Sequence, residues 1–155
     1  ISGPQVMPGY LNDPQKTAQS IVEIDGRRWY KSGDKGHLDH DGFLVIVDRY
    51  SRFAKIAGEM ISLGAIEQAL QGSLPEEVEV LATAIPDGKK GEKVVLLFTN
   101  NCSEDQIRQS IDNANLNPIM RPSVYLAVES IPKLGSGKRD LSGAKKMAVE
   151  LLCLD

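Results

Sequence analysis

Two apolar runs near the middle of the chain constrain it most. They are "EVEVLATAIPD" (77–87) and "EKVVLLFTN" (92–100), joined by the charged turn "DGKKG". Short runs this rich in Val, Leu and Ile read as buried strands, and so brief a polar joint makes them neighbours. The flanking segments supply the rest of a domain. "FAKIAGEMISL" (53–63) reads as a short strand pair bent at Gly58. "GAIEQALQGS" (64–73) has helical spacing, with Ile66, Ala69 and Leu70 on one face. "CSEDQIRQSIDNAN" (102–115) is a helix with an apolar face at Ile107 and Ile111. Its Ser103 and Gln106 have capping-box spacing. "SVYLAVE" (123–129) is a further strand, and a closing helix starts at Asp140. From residue 52 the order is β-β-α-β-β-α-β-loop-α, a compact α+β domain.

The first fifty residues read differently. Residues 1–19 are loop-like, with Pro4, Pro8, Gly9 and Pro14 as breakers. "IVEIDGRRWY" predicts a hairpin with strands 21–24 and 27–30 about an Asp25-Gly26 turn. "KGHLDHDGFLVIVD" predicts a second, turning at Asp39–Gly42. Together, residues 20–48 are expected to form one small antiparallel sheet, too little to be stable alone. The charged "DRYSR" suggests a boundary near 48–52. The expected organisation is the end of a large domain over 1–49, a joint at 50–52 and a second domain over 53–155. The opening "ISGPQVMPGYLNDPQKT" reads like mid-domain sequence, so a piece of a longer protein is expected.

Totals narrow the function classes. A net charge of -3 and a pI of about 5.4 give no nucleic-acid surface. The longest apolar runs, "FLVIV" and "VVLLF", are far too short to span a membrane. No signal segment is visible. Cys102 and Cys153 are read as free thiols of a reducing compartment. His37 and His40 have H-x-x-H spacing, but no further ligands are nearby, so they read as solvated histidines and no metal is expected.

"IPKLGSGKRD" (131–140) raises a sharper question, because Gly135, Ser136 and Gly137 stand directly before Lys138. Two glycines widen the backbone options around Ser136 and make a loose arm for a cation. A solvated turn is the plain reading. A phosphate-binding Walker loop is excluded, since Pro132 stands where it needs Gly and Arg139 where it needs Ser or Thr.

Four stretches together carry a resemblance: "GPQVMPGY" (3–10), "YKSGD" (30–34), "DRYSRFAKIAGEMISLGAIE" (48–67) and "PKLGSGK" (132–138). In order and spacing they resemble the C-terminal third of the adenylate-forming enzymes, which include acyl-CoA synthetases, luciferases and nonribosomal-peptide adenylation domains. "RFAKIAGEMISL", the "ATAI" before a charged turn and "LGSGK" followed by Asp140 resemble one subgroup. Its members are acyl-carrier-protein synthetases fused to a 2-acylglycerophosphoethanolamine acyltransferase.

The resemblance implies a fold, a small antiparallel β segment from the large domain followed by a compact α+β C-terminal domain. It also implies an activity. A carboxylic acid, here a fatty acid, reacts with ATP and Mg2+ to an acyl-adenylate, and the acyl group then passes to a thiol. The acceptor is acyl carrier protein or CoA, and the rest of the chain's own polypeptide is a partner. A cytoplasmic enzyme of phospholipid acyl-chain turnover follows, its parent associated with the bacterial inner membrane. These residues alone are expected to be inactive and to hold no cofactor.

Roles carry over by position. Asp34 matches the ligand of the ribose hydroxyls and Arg49 a nucleotide ligand, in keeping with a carboxylate's acceptors and a guanidinium's planar fork. Trp29 and Tyr30 are expected to pack rather than bind. Ser51, with Arg52, matches the hinge, although Ser replaces the family's Asp or Lys, and Asp48 replaces its Gly. Gly58 matches the bend that approaches the thiol arm, flanked by Lys55 and Glu59. Lys138 matches the catalytic lysine, acting as a charge rather than a base. Leu134 replaces the common Thr of that loop, a departure that favours the carrier-protein subgroup. Lys133, Lys138, Arg139, Lys145 and Lys146 give local positive charge that could steer an acidic carrier protein or simply face solvent. The alternatives are an acyl-CoA ligase and, from another class, a non-catalytic carrier-binding module. Nucleotide ligands argue against the latter.

Overall fold

The computed structural model describes residues 1–153, apart from the Cys153 side chain, so the expectation of a free thiol there lies outside the described residues. Two compact units are present, residues 1–51 and 52–155.

The first unit is built from local turns. Helix α1 (Pro14–Ser20) occupies sequence read as loop. Pro14 is its first residue rather than a breaker: a proline's fixed φ suits the first turn, where its missing N–H has no partner to lose. Asp13 caps the helix, accepting the Lys16 N–H at 2.9 Å. Strands β1 (Ile21–Ile24) and β2 (Arg27–Tyr30) form the first hairpin in the expected register, Ile24 opposite Arg27. Strands β3 (Asp34–Leu38) and β4 (Leu44–Arg49) form the second. The Asp39 carboxylate accepts the Asp41 and Phe43 N–H groups at 3.0 and 2.8 Å, which shapes the turn. The two hairpins are separate two-stranded sheets, not the single sheet expected. Val6 is the one buried apolar side chain among the described residues of this unit, while Phe43, Leu44, Val45, Ile46 and Val47 all face solvent.

The second unit has a true core. Strands β5 (Phe53–Ile56) and β6 (Glu59–Ser62) turn at Ala57-Gly58, both with positive φ, 51° and 89°. Helix α2 (Leu63–Leu70) follows at once, capped by Ser62, whose hydroxyl accepts the Ala65 N–H. Strands β7 (Val80–Asp87) and β8 (Gly91–Thr99) pair antiparallel over their whole length. Helix α3 (Glu104–Asn113) carries the predicted capping box between Ser103 and Gln106. Strand β9 (Val124–Val128) runs parallel to β8, and helix α4 (Leu141–Cys153) closes the order.

The sheet runs β6-β5-β8-β7, with β9 also on β8. Strand β8 is its centre: β7 covers one edge, while β5 at Gly91 and β9 from Val95 share the other. Side chains alternate along β7 and β8. Val80, Ala82, Val94, Leu96 and Phe98 pack with Ile66 and Leu70 of α2 and Ile107 and Ile111 of α3. Leu81, Ile85, Val95 and Leu97 pack on the opposite face with Ala144 and Ala148 of α4. A strand pair covered on both faces explains the unbroken apolar runs.

Candidate functional site

The expected site residues fall into four local groups. In the first unit, the register of β3 and β4 sets Asp34 opposite Arg49. The Arg49 Nε lies 3.5 Å from Asp34 Oδ1, with the carboxylate side chain 29% and the guanidinium side chain 73% exposed. The pair is loose and open to solvent, so both groups keep capacity for a ligand. Next to it the neighbouring Tyr10 hydroxyl holds the Tyr30 pKa above the ordinary value, with burial adding to the rise. The Lys16 ammonium sits 4.2 Å from the centre of the Tyr10 ring. Tyr30 is half-buried, and Trp29 is 38% exposed.

Ser51 and Arg52 lie in a 3-10 turn, Tyr50–Arg52. Ser51 is exposed. Lys55, Gly58 and Glu59 share the β5–β6 hairpin, all exposed. That hairpin is fastened to β8 and the turn before it: the Lys55 N–H donates to Glu92 Oε2 at 2.6 Å and the Ala57 N–H to the Lys90 carbonyl at 2.8 Å.

Lys138 sits at the end of a hydrogen-bonded turn. Residues 133–139 close into a small hairpin, with Lys133 and Arg139 bridged antiparallel. The Leu134 N–H donates to the Lys138 carbonyl at 2.7 Å, the Gly137 N–H to the Leu134 carbonyl at 2.8 Å, and the Asp140 N–H to the Pro132 carbonyl at 2.8 Å. Gly137 has φ of 79°, the left-handed turn residue that tightens the loop. The glycines thus close a turn and hold Lys138 at its end, exposed to solvent.

Both limbs of this hairpin are anchored. Lys133 Nζ meets Glu79 Oε2 at 2.9 Å, and Arg139 Nη1 meets Glu67 Oε2 at 3.0 Å. Glu67 also accepts Arg52 Nη2 at 2.9 Å and the Ala82 N–H of edge strand β7 at 2.8 Å, both on Oε1. Its side chain and that of Arg52 are each only 12% exposed. Lys145 approaches Glu92 at 4.0 Å. The supposed basic patch is thereby partly neutralised, since Lys133, Arg139 and Lys145 face carboxylates. Reading the sequence for chemistry missed Glu67 and Glu79. One signal was available: with Leu63, Ile66 and Leu70 buried, Glu67 falls on the same helical stripe, where an unpaired charge is costly.

His40 lies 3.2 Å from Asp41 on an exposed turn, and no metal-ligand cluster is present among the described residues. No described helix is long and apolar enough to cross a membrane.

No family model matches the chain. Among known proteins it is 34% identical over 176 residues to the nonribosomal peptide synthetase sidD of Aspergillus fumigatus, across 90% of this chain and 8% of that protein. It is 36% identical over 140 residues to a 2-succinylbenzoate–CoA ligase of Listeria monocytogenes, across 89% of this chain and 29% of the ligase. The o-succinylbenzoate CoA synthetase MenE of Bacillus subtilis, solved with its acyl-adenylate intermediate, superposes with a TM-score of 0.76 at 26% identity. That match covers 92% of this chain and 29% of MenE. The chain thus spans less than a third of each of these proteins. By sequence and by its α+β fold, the chain matches the C-terminal domain of the adenylate-forming, acyl/aryl-CoA-ligase-like enzymes.

Proposed function

We propose that the chain is the mobile C-terminal part of an ATP-dependent acid–thiol ligase, with Lys138 as its catalytic lysine. The observation that supports this most is the Lys133–Arg139 hairpin, which carries an exposed ammonium at the end of a turn anchored on both limbs. A fixed cation suits a step in which charge moves. A carboxylate oxygen attacks the α-phosphorus of ATP, the bond to the β-phosphate breaks and pyrophosphate leaves. Lys138 would neutralise the carboxylate and α-phosphate as that happens. Asp34 and Arg49 would hold the ribose and phosphate oxygens. Magnesium would arrive with ATP as part of the substrate. In the second step a thiol sulfur attacks the acyl carbon, AMP departs and the thiol proton is released. Residues 50–52 would be the hinge between these steps, and Gly58 with Lys55 and Glu59 would line the approach of the thiol arm.

CoA is the acceptor we favour, because a CoA ligase shares 36% identity over 89% of the chain. A carrier-protein thiol is the second reading, with a fused acyltransferase, supported by "RFAKIAGEMISL" and "LGSGK". Assays of the complete enzyme with both acceptors separate the two.

The test of the lysine uses Lys138→Ala in the complete enzyme. Acid-dependent pyrophosphate exchange should slow by about 100- to 1,000-fold, the usual cost of one transition-state donor. Transfer from supplied acyl-adenylate to the thiol should stay within about twofold, since the ammonium has no part in that step. Exchange at the wild-type rate would return Lys138 to a solvated turn.

A further inference from the structure

Glu67 touches three separate parts of the second unit. Its Oε2 accepts Arg139, the residue directly after Lys138, at 3.0 Å. Its Oε1 accepts Arg52 at 2.9 Å, at the first residue of the unit, and the edge-strand Ala82 N–H at 2.8 Å. It is fixed from behind by helix α2, where Leu63, Ile66 and Leu70 are buried. A carboxylate so enclosed, with three donors on two oxygens, has little freedom of its own. The Arg139 guanidinium, 42% exposed, is tied to it through Nη1.

We propose that Glu67 is a positioning residue: a carboxylate clasp that sets the Lys138 hairpin, through Arg139, in register with the Arg52 segment that follows the hinge. This rests on the proposed ligase reading and concerns the same lysine. The Glu79–Lys133 pair fastens the other limb, but Lys133 is 47% and Glu79 34% exposed at their side chains. Glu67, at 12%, is the stiffer of the two anchors. Loss of the clasp leaves Lys138 in place chemically and lets its hairpin wander. A displacement on the order of 1 Å costs up to about a hundredfold in a step that depends on alignment.

The experiment compares Arg139→Gln, Arg139→Lys, Glu67→Gln and Lys138→Ala in the complete enzyme. Arg139→Gln releases only the hairpin, since Glu67 keeps Arg52 and Ala82. It should cut kcat for pyrophosphate exchange by about tenfold or more, leave KM for ATP within about twofold, and leave transfer from supplied acyl-adenylate within about twofold. Arg139→Lys, which retains the charge, should recover part of the loss. Glu67→Gln, which also removes the carboxylate from Arg52, should cost at least as much in exchange as Arg139→Gln. Amide exchange gives a readout independent of activity. In this chain the Leu134, Gly137 and Asp140 N–H groups should exchange faster by about tenfold in Arg139→Gln, with Val95 and Leu97 in β8 unchanged. Equal loss of both half-reactions would make the contact merely structural and overturn the proposal. So would full exchange activity in Arg139→Gln while Lys138→Ala is inactive. If Lys138→Ala itself exchanges normally, the ligase reading of the lysine falls, and the clasp falls with it.

Discussion

At the level of single residues, Gly137 and Glu67 show what sequence alone could and could not tell. Lys138 stood out because two glycines and a serine precede it. Glycine permits looseness, and Gly137 uses that freedom to take a left-handed turn with φ of 79°. Glu67 showed only as a charge on the buried stripe of its helix; its partners, Arg52 and Arg139, lie 15 and 72 positions away, beyond any local pattern. A contrast between the two glycines tests the turn. A Cβ at either position meets no atom within 4 Å, so space is not the issue. Gly135 does not have positive φ, whereas Gly137 does. Gly137→Ala should therefore destabilise the hairpin by about 1 kcal/mol, opening it about fivefold more often. Gly135→Ala should leave it unchanged. Exchange of the Leu134 amide and of the amide at position 137 measures both, and equal effects would contradict the closed turn.

Among the elements, what was legible follows the reach of the interactions. The hairpins at Asp25-Gly26 and Ala57-Gly58 and the capping box at Ser103 are made by residues within a few positions of each other, and the chain folds there as read. Helix α1 is not legible because a proline among other turn residues marks a break as readily as the first residue of a helix, which Pro14 is. Whether the two hairpins of the first unit share a sheet depends on contacts that no local pattern encodes. The Tyr50–Arg52 turn is the element with most at stake. Its 3-10 conformation uses φ near the value that proline enforces. Ser51→Pro should therefore fix φ at this position, bias Tyr50 away from helical values and restrict rotation about the turn. In the complete enzyme the two half-reactions should separate, thioester formation falling at least about tenfold more than adenylate formation. Equal losses in both would count against a hinge at Ser51.

For the molecule as a whole, the two units are unlike in kind. The second buries Phe98, Ile66, Leu81 and Leu96 in continuous cores on both faces of its sheet. The first presents the apolar run Phe43–Val47 to solvent. A run of that size is the kind of surface that normally packs against other protein. The proposed ligase supplies such a body, a large domain that would complete the nucleotide and acyl sites. The proposed nucleotide ligands are divided in the same way: Asp34 and Arg49 belong to the first unit and Lys138 to the second. Among the described residues, the proposed ligands for ATP are a loose, solvated carboxylate–guanidinium pair and an exposed lysine. Interactions of that kind contribute little each, and ordering a triphosphate offsets most of what they give. Calorimetric titration of the 155-residue chain should therefore give a Kd no tighter than about 1 mM, or about -4 kcal/mol. Micromolar affinity would mean that the site is complete within these residues, and would remove the need for a large domain in the proposed mechanism.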